Sequence, residues 1–217
     1  RMLRSLAGLI DPHVGDIGFC GRNLRRERAE SLLNVGYAPD LPAVYEELTV
    51  YQFLDFFAAA YRIPEETRPD RIEGILASLQ LEGKSGTRMN GLSRGMAQRV
   101  VIAKALIHQP PVLLLDEPAG GLDPAARISL RQMLKDYASQ GNAILISSHI
   151  LSELSGFCTA IGIMERGRMV LCGSIEEIAA RTRPHTLIRI ELAEPEPLVE
   201  QRLRHLLDRL ARGALAH

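Results

Sequence analysis

Val112 to Leu115 is an unbroken apolar run, preceded by Pro110-Pro111 and followed by Asp116-Glu117. A strand without polar alternation cannot leave one face in water, so it belongs in a parallel sheet covered on both sides by helices. The fold class is therefore α/β. Asp116 and Glu117 then lie at the strand's carboxyl end, the edge where open sheets of this class place their ligands. Two adjacent carboxylates there suit phosphoryl chemistry, in which one holds magnesium and the other orients or activates water. Taken alone, the same pattern also fits a buried strand finishing in a solvated acidic turn, so its neighbours decide between the two readings.

Before the strand come Leu92-Ser93-Arg94-Gly95-Met96 and Gln98-Arg99; after it come Gly121-Leu122-Asp123-Pro124 and then Ser147-Ser148-His149. In this order the run resembles the nucleotide-binding domain of ATP-binding cassette (ABC) transporters, and the resemblance extends to about Arg181. LSRGM is similar to the family's signature loop, LLLDE to its Walker B strand, GLDP to its D-loop and His149 to its switch histidine. The resemblance implies a P-loop NTPase-type, mostly parallel sheet flanked by helices, with an α-helical subdomain inserted at about residues 46–108. It also implies an ATP-binding domain over residues 1–181, followed by a partial C-terminal accessory segment over 182–217.

The implied cofactors are ATP and Mg2+. Asp116 is expected to hold the magnesium, Glu117 to be the catalytic carboxylate and His149 to contact the γ-phosphate. Ser93, Arg94, Gly95 and Met96 would close over the γ-phosphate held by a second nucleotide-binding domain, and Asp123 would make contact across that dimer. Asp40 follows the strand expected at Val35 to Ala38 and stands where the family usually has glutamine. It is expected either to meet the magnesium shell through water or to serve as a turn residue. Arg94 and Met96 depart from the commonest glycine and glutamine of the signature, in a form that resembles exporters.

Composition narrows the partners. The 26 basic and 26 acidic residues cancel to a formal charge of zero, so no global positive field exists to hold nucleic acid or an anionic membrane surface. Cys20, Cys158 and Cys172 are widely spaced and odd in number, which fits reduced thiols rather than a disulfide frame or a zinc site. No apolar run approaches the roughly 20 residues needed to span a bilayer. Work at a membrane therefore requires docking on transmembrane permease subunits, at the cytoplasmic face.

Met2, Leu3, Leu6 and Leu9 have helical spacing that Gly8 and Asp11-Pro12 bring to an end. By resemblance this helix opens with the phosphate-binding loop, which is then expected before Arg1, and the isolated chain is expected to bind ATP weakly. Gly83-Lys84-Ser85 imitates the end of such a loop, but Ser78 stands where its first glycine is required, so it reads as a connector. Asp16 to Cys20 reads as a short strand before a basic loop.

Thr49 and Gln52 form a capping box ahead of the stripe Val50, Phe53, Leu54, Phe57 and Tyr61. A second stripe follows at Ile72, Ile75, Leu76 and Leu79. Ser93 and Asp123 read as N-caps of two further helices, Gly141 ends the second of them, and Ala143 to Ile146 is another apolar strand. A hairpin is expected around Glu165-Arg166-Gly167-Arg168, with Ser174 and Glu177 capping a short helix behind it. Thr186 to Leu192 alternates like a strand, and Leu198 to Leu210 reads as an amphipathic helix.

Together these readings point to an ATP-hydrolysing subunit of an exporter. Two alternatives stay open: a soluble ABC ATPase working on ribosomes or DNA, and a degenerate cassette that regulates without turnover.

Overall fold

Helix α1 (Met2–Leu6) ends where Gly8 turns at φ +71, so Leu3 and Ala7 are buried with Leu6 packed partly against them, while Leu9 points outward. The structure, a computed structural model, describes residues 2–41, 44–150, 158–175 and 177–178. The basic loop expected after Cys20 instead folds back as the second arm of a small hairpin, in which β1 (Gly18–Phe19) pairs antiparallel with β2 (Arg22–Asn23). Cys20 and Gly21 both take positive φ there, the backbone demanded by a two-residue hairpin turn. A short helix, α2 (Arg28–Leu32), leads into β3 (Val35–Ala38).

Helices α3 (Val50–Ala60), α4 (Arg68–Ser78) and α5 (Arg94–Leu106) follow, and then β4 (Val112–Asp116), α6 (Pro124–Ser139) and β5 (Ala143–Ser147). β3, β4 and β5 form one parallel sheet with β4 in the centre. Parallel pairing follows from the helical crossovers, each of which returns the chain to the starting edge. Along β4 the faces alternate. Leu114 packs with Leu3, Ala7 and Val35 on one side, whereas Leu113 and Leu115 join the core built by α3 to α6 on the other.

Gly36 lets that second layer approach. A side chain at this point of β3 would collide with the Ala105 carbonyl and come within 2.8 Å of Pro110. α3 begins with the reciprocal capping box, in which the Gln52 N–H donates to Thr49 Oγ1 at 3.2 Å and the Thr49 N–H donates to Gln52 Oε1 at 2.9 Å. Val50, Phe53, Leu54, Ile72 and Leu76 are fully buried, as the two stripes require.

α4 and α5 close each other's carboxyl ends. Arg99 of α5 donates to the carbonyls of Leu79 and Gln80, both at 3.1 Å, and Arg71 of α4 donates to the Ile107 carbonyl at 3.2 Å. Gly83-Lys84-Ser85 lies in the connector after α4, where the Tyr51 N–H donates to the Ser85 carbonyl.

The chain separates into two compact units, Arg1–Cys158 and Thr159–His217. In the second, β6 (Ile161–Glu165) pairs antiparallel with β7 (Arg168–Gly173) around a turn at Arg166 and Gly167, as the sequence suggests. Ser174 and Glu177 satisfy each other's backbone amides in the capping box read from the sequence. The strand and helix expected from Thr186 to Leu210 lie outside the described residues. No helix among the described residues is long and apolar enough to cross a membrane.

Candidate functional site at the carboxyl edge of the sheet

Parallel register brings the polar ends of the strands together. Ala38 pairs with Leu115 and Asp116 with Ser147, so Asp40, Asp116, Glu117, Ser147 and His149 all leave the sheet at one edge. Ser147 Oγ donates to Asp116 Oδ1 at 2.5 Å. The Glu117 N–H donates to the Ser147 carbonyl at 3.1 Å and lies 3.3 Å from Ser147 Oγ. Beyond the strand, Glu117 adopts φ +49, a left-handed backbone that is uncommon for a residue with a side chain. The turn is closed behind it by the Gly120 N–H, which donates to the Glu117 carbonyl at 3.0 Å.

His149 Nδ1 meets Glu117 Oε2 at 2.8 Å. The histidine side chain is 77% exposed and the glutamate 24%, so the imidazole faces outward and the carboxylate is the more sheltered of the two. The turn that holds His149 is fixed by the Ile150 N–H, which donates to Ser148 Oγ at 3.1 Å. Asp116 carries a field beyond its own strand. Burial pushes the Tyr37 phenol up from its ordinary value, the Asp116 charge adds to the rise, and Arg4 opposes it.

The second arm of the site surrounds the Gly120-Gly121 turn. Ser93 caps α5 as expected, accepting the Met96 N–H on Oγ at 3.3 Å. Asp123 caps α6, accepting the Ala126 N–H on Oδ1 at 2.9 Å. Gly95 sits so close to the turn that a methyl group there would come within 2.9 Å of the Gly121 carbonyl oxygen. Gly121, at φ +74, in turn lies under Arg94, whose side chain would be 3.2 Å from any added methyl. Asp40 approaches the same turn, with Oδ1 3.7 Å from the position of a Gly120 Cβ.

The structure therefore gathers Asp40, Asp116, Glu117 and His149 on the rim, and Ser93, Arg94, Gly95 and Asp123 around the adjoining turn. Met96 contributes only its amide to the cap, because its side chain packs against the main core. Two contributors stand within the run of motifs but received no role of their own from the sequence. Ser147 ends an apolar run exactly as Asp116 does, and that matching position was the available signal. Gln98, quoted with Arg99 among those motifs, donates its amide to the Pro39 carbonyl at 3.3 Å and ties α5 to the Asp40 loop, a long-range contact that the sequence does not show.

Asp116 and Asp40 offer hard oxygen donors, and the second oxygen of Asp116 has no hydrogen-bond partner among the described residues. No group of three or more His, Cys, Asp and Glu side chains forms a ready cage among those residues. This set fits magnesium, which keeps several waters and is completed by phosphate oxygens rather than enclosed by protein.

Comparison with known proteins points to one family. The family model described as ABC transporter matches residues 1–120. An uncharacterized ABC transporter ATP-binding protein of Nostoc sp. is 35% identical over 179 residues, which cover 82% of this chain and 53% of that protein. The Nod factor export ATP-binding protein I of Ralstonia nicotianae is 30% identical over 190 residues, covering 88% of this chain and 56% of that one. A solved structure of an ATP-binding subunit of an ABC transporter superposes with a TM-score of 0.77 at 30% identity, covering 83% of this chain and 75% of the other. The chain thus spans about half the length of the curated relatives it matches.

Proposed function

The chain belongs to the ABC transporter family, and we propose that it is an ATP-binding and hydrolysing subunit coupling nucleotide-driven dimerisation to export across a membrane. The 2.8 Å contact between His149 and Glu117 on the strand-end rim carries this reading, because it joins a carboxylate suited to activate water to a group able to face a phosphate. Asp116, and Asp40 through water, would hold Mg2+, which when bound with ATP neutralises charge developing on the phosphates. Glu117 orients the attacking water and draws on its proton. Its backbone is fixed by Ser147, and its carboxylate by the imidazole. His149 stabilises the γ-phosphate.

Ser93, Arg94, Gly95 and Met96, at the amino end of α5, would complete the site of a second nucleotide-binding domain, with Asp123 meeting that partner beside them. Backbone amides and the helix dipole make such an end attractive to phosphate. The ATP-binding domain would occupy residues 1–181, with an accessory segment beyond, and would work at the cytoplasmic face on transmembrane permease subunits. The helical layer beside the Asp40 loop would receive them. Export is supported by the relative named for Nod factor export.

Glu117→Gln in the intact protein tests this reading. ATP binding should survive while steady-state hydrolysis falls by about 100- to 10,000-fold, the usual contribution of a positioned general base. Turnover at the wild-type rate would overturn the assignment.

A further inference from the structure

Ser147 touches two of the residues that carry the rim carboxylates, Asp116 and Glu117. It lies beside Asp116 in the parallel register, and its hydroxyl donates to Asp116 Oδ1. A hydroxyl has one proton to give and lone pairs to receive. Here the Glu117 N–H approaches the receiving side of Ser147 Oγ at 3.3 Å, leaving the proton for Asp116. One small side chain thus sets the direction of a carboxylate and anchors the backbone of the next residue, which sits in the left-handed region at φ +49.

We propose that Ser147 is a positioning residue for the divalent cation. Its hydroxyl holds Asp116 in the orientation that turns the second carboxylate oxygen toward a nucleotide-bound metal, while its carbonyl and hydroxyl pin the start of the Glu117 turn. This rests on the reading of Asp116 as the magnesium carboxylate. An alanine at position 147 preserves the strand pairing and the Glu117 N–H bond to the residue-147 carbonyl, both made by backbone groups, and removes the hydroxyl that orients Asp116 and gives the Glu117 N–H its second acceptor.

The test is equilibrium binding rather than turnover. In the intact protein carrying Glu117→Gln to prevent hydrolysis, a fluorescent ATP analogue is titrated once with Mg2+ and once with EDTA, and the ratio of affinities gives the metal-linked gain. Ser147→Ala should reduce that gain about tenfold, consistent with losing a hydrogen bond to a charged group, while leaving the EDTA affinity within about twofold. Ser147→Thr, which keeps the hydroxyl, should restore it. Asp116→Asn should abolish the gain, with Ser147→Ala adding nothing in that background.

An undiminished gain in Ser147→Ala, or equal losses with and without metal, would overturn the proposal while leaving the ATPase reading intact. Absence of nucleotide binding in both media by the parent variant would overturn the ATPase reading itself, and this proposal with it.

Discussion

In the layer of α3, α4 and α5, Val50, Phe53, Leu54, Ile72 and Leu76 are fully buried, and the helix ends are closed by a capping box and by Arg71 and Arg99. At the strand ends, Asp116, Glu117 and Ser147 are half-buried and rest on a few polar contacts, one of which holds a left-handed glutamate. The first region derives its order from apolar area, the dominant favourable term in folding. The second derives its order from hydrogen bonds, each of modest net worth. Loss of a rim group should therefore change chemistry and barely change stability, and loss of a core group should do the reverse. The rim can carry exposed charge because the layer behind it supplies the stability.

The largest expected effect lies in the helical layer. Phe53→Ala removes a fully buried ring that packs edge-on against Phe57 at 5.1 Å, and should cost about 3–5 kcal/mol. Denaturant melts should show the loss, with ATP turnover per folded molecule little changed. An equal loss of turnover would break the contrast between the regions. Next comes the rim, where His149→Ala should lower kcat by about 100-fold or more yet shift the melting midpoint by less than any core variant. A large shift in the midpoint would show the histidine to be structural.

Smaller effects sharpen the boundary between the two regions. Thr49→Ala removes the α3 cap and should cost about 1 kcal/mol in chemical denaturation, whereas a rim role for this loop would appear in kcat as well. A pH effect is expected from His108, which is half-buried and stacks on Tyr61 at 3.6 Å. Burial pulls its imidazole down to about 4, with Lys104 and Arg71 adding and the Val35 carbonyl opposing. The unfolded chain takes up a proton near pH 6.5 and the folded chain does not, so stability is present at neutral pH and lost as pH falls from about 6.5 toward 4. The melting midpoint should drop between pH 7.5 and 5, and His108→Phe, which keeps a ring against Tyr61, should flatten that slope. Identical slopes would remove His108 from the account.

Local patterns proved sufficient for several of the elements, though α2 (Arg28–Leu32) was not among them. The β4 run, the Thr49 and Ser174 capping boxes and the Asp123-Pro124 helix start each appear where residues close in sequence specify them. Contacts between segments distant in sequence were not readable in the same way. The collision at Gly36 depends on where α5 lands, and the closeness of Gly95 to Gly121 depends on two turns meeting in space. The second arm of the β1–β2 hairpin was hidden because Arg22-Asn23 carries no apolar signal and is paired through its backbone alone. Among the site residues, the motifs placed Asp116, Glu117 and His149 on one rim, whereas the serine bridging the first two becomes visible only once the β4–β5 register is known.

The central claim is that the rim of Asp116, Glu117 and His149 is where ATP is cleaved, and a structure of the intact Glu117→Gln protein with Mg2+ and ATP tests it most directly. The account predicts a γ-phosphate within hydrogen-bonding reach of His149, about 3 Å, with Asp116 turned toward the cation. A nucleotide bound on another surface, or phosphates directed away from the ends of β4 and β5, would contradict it.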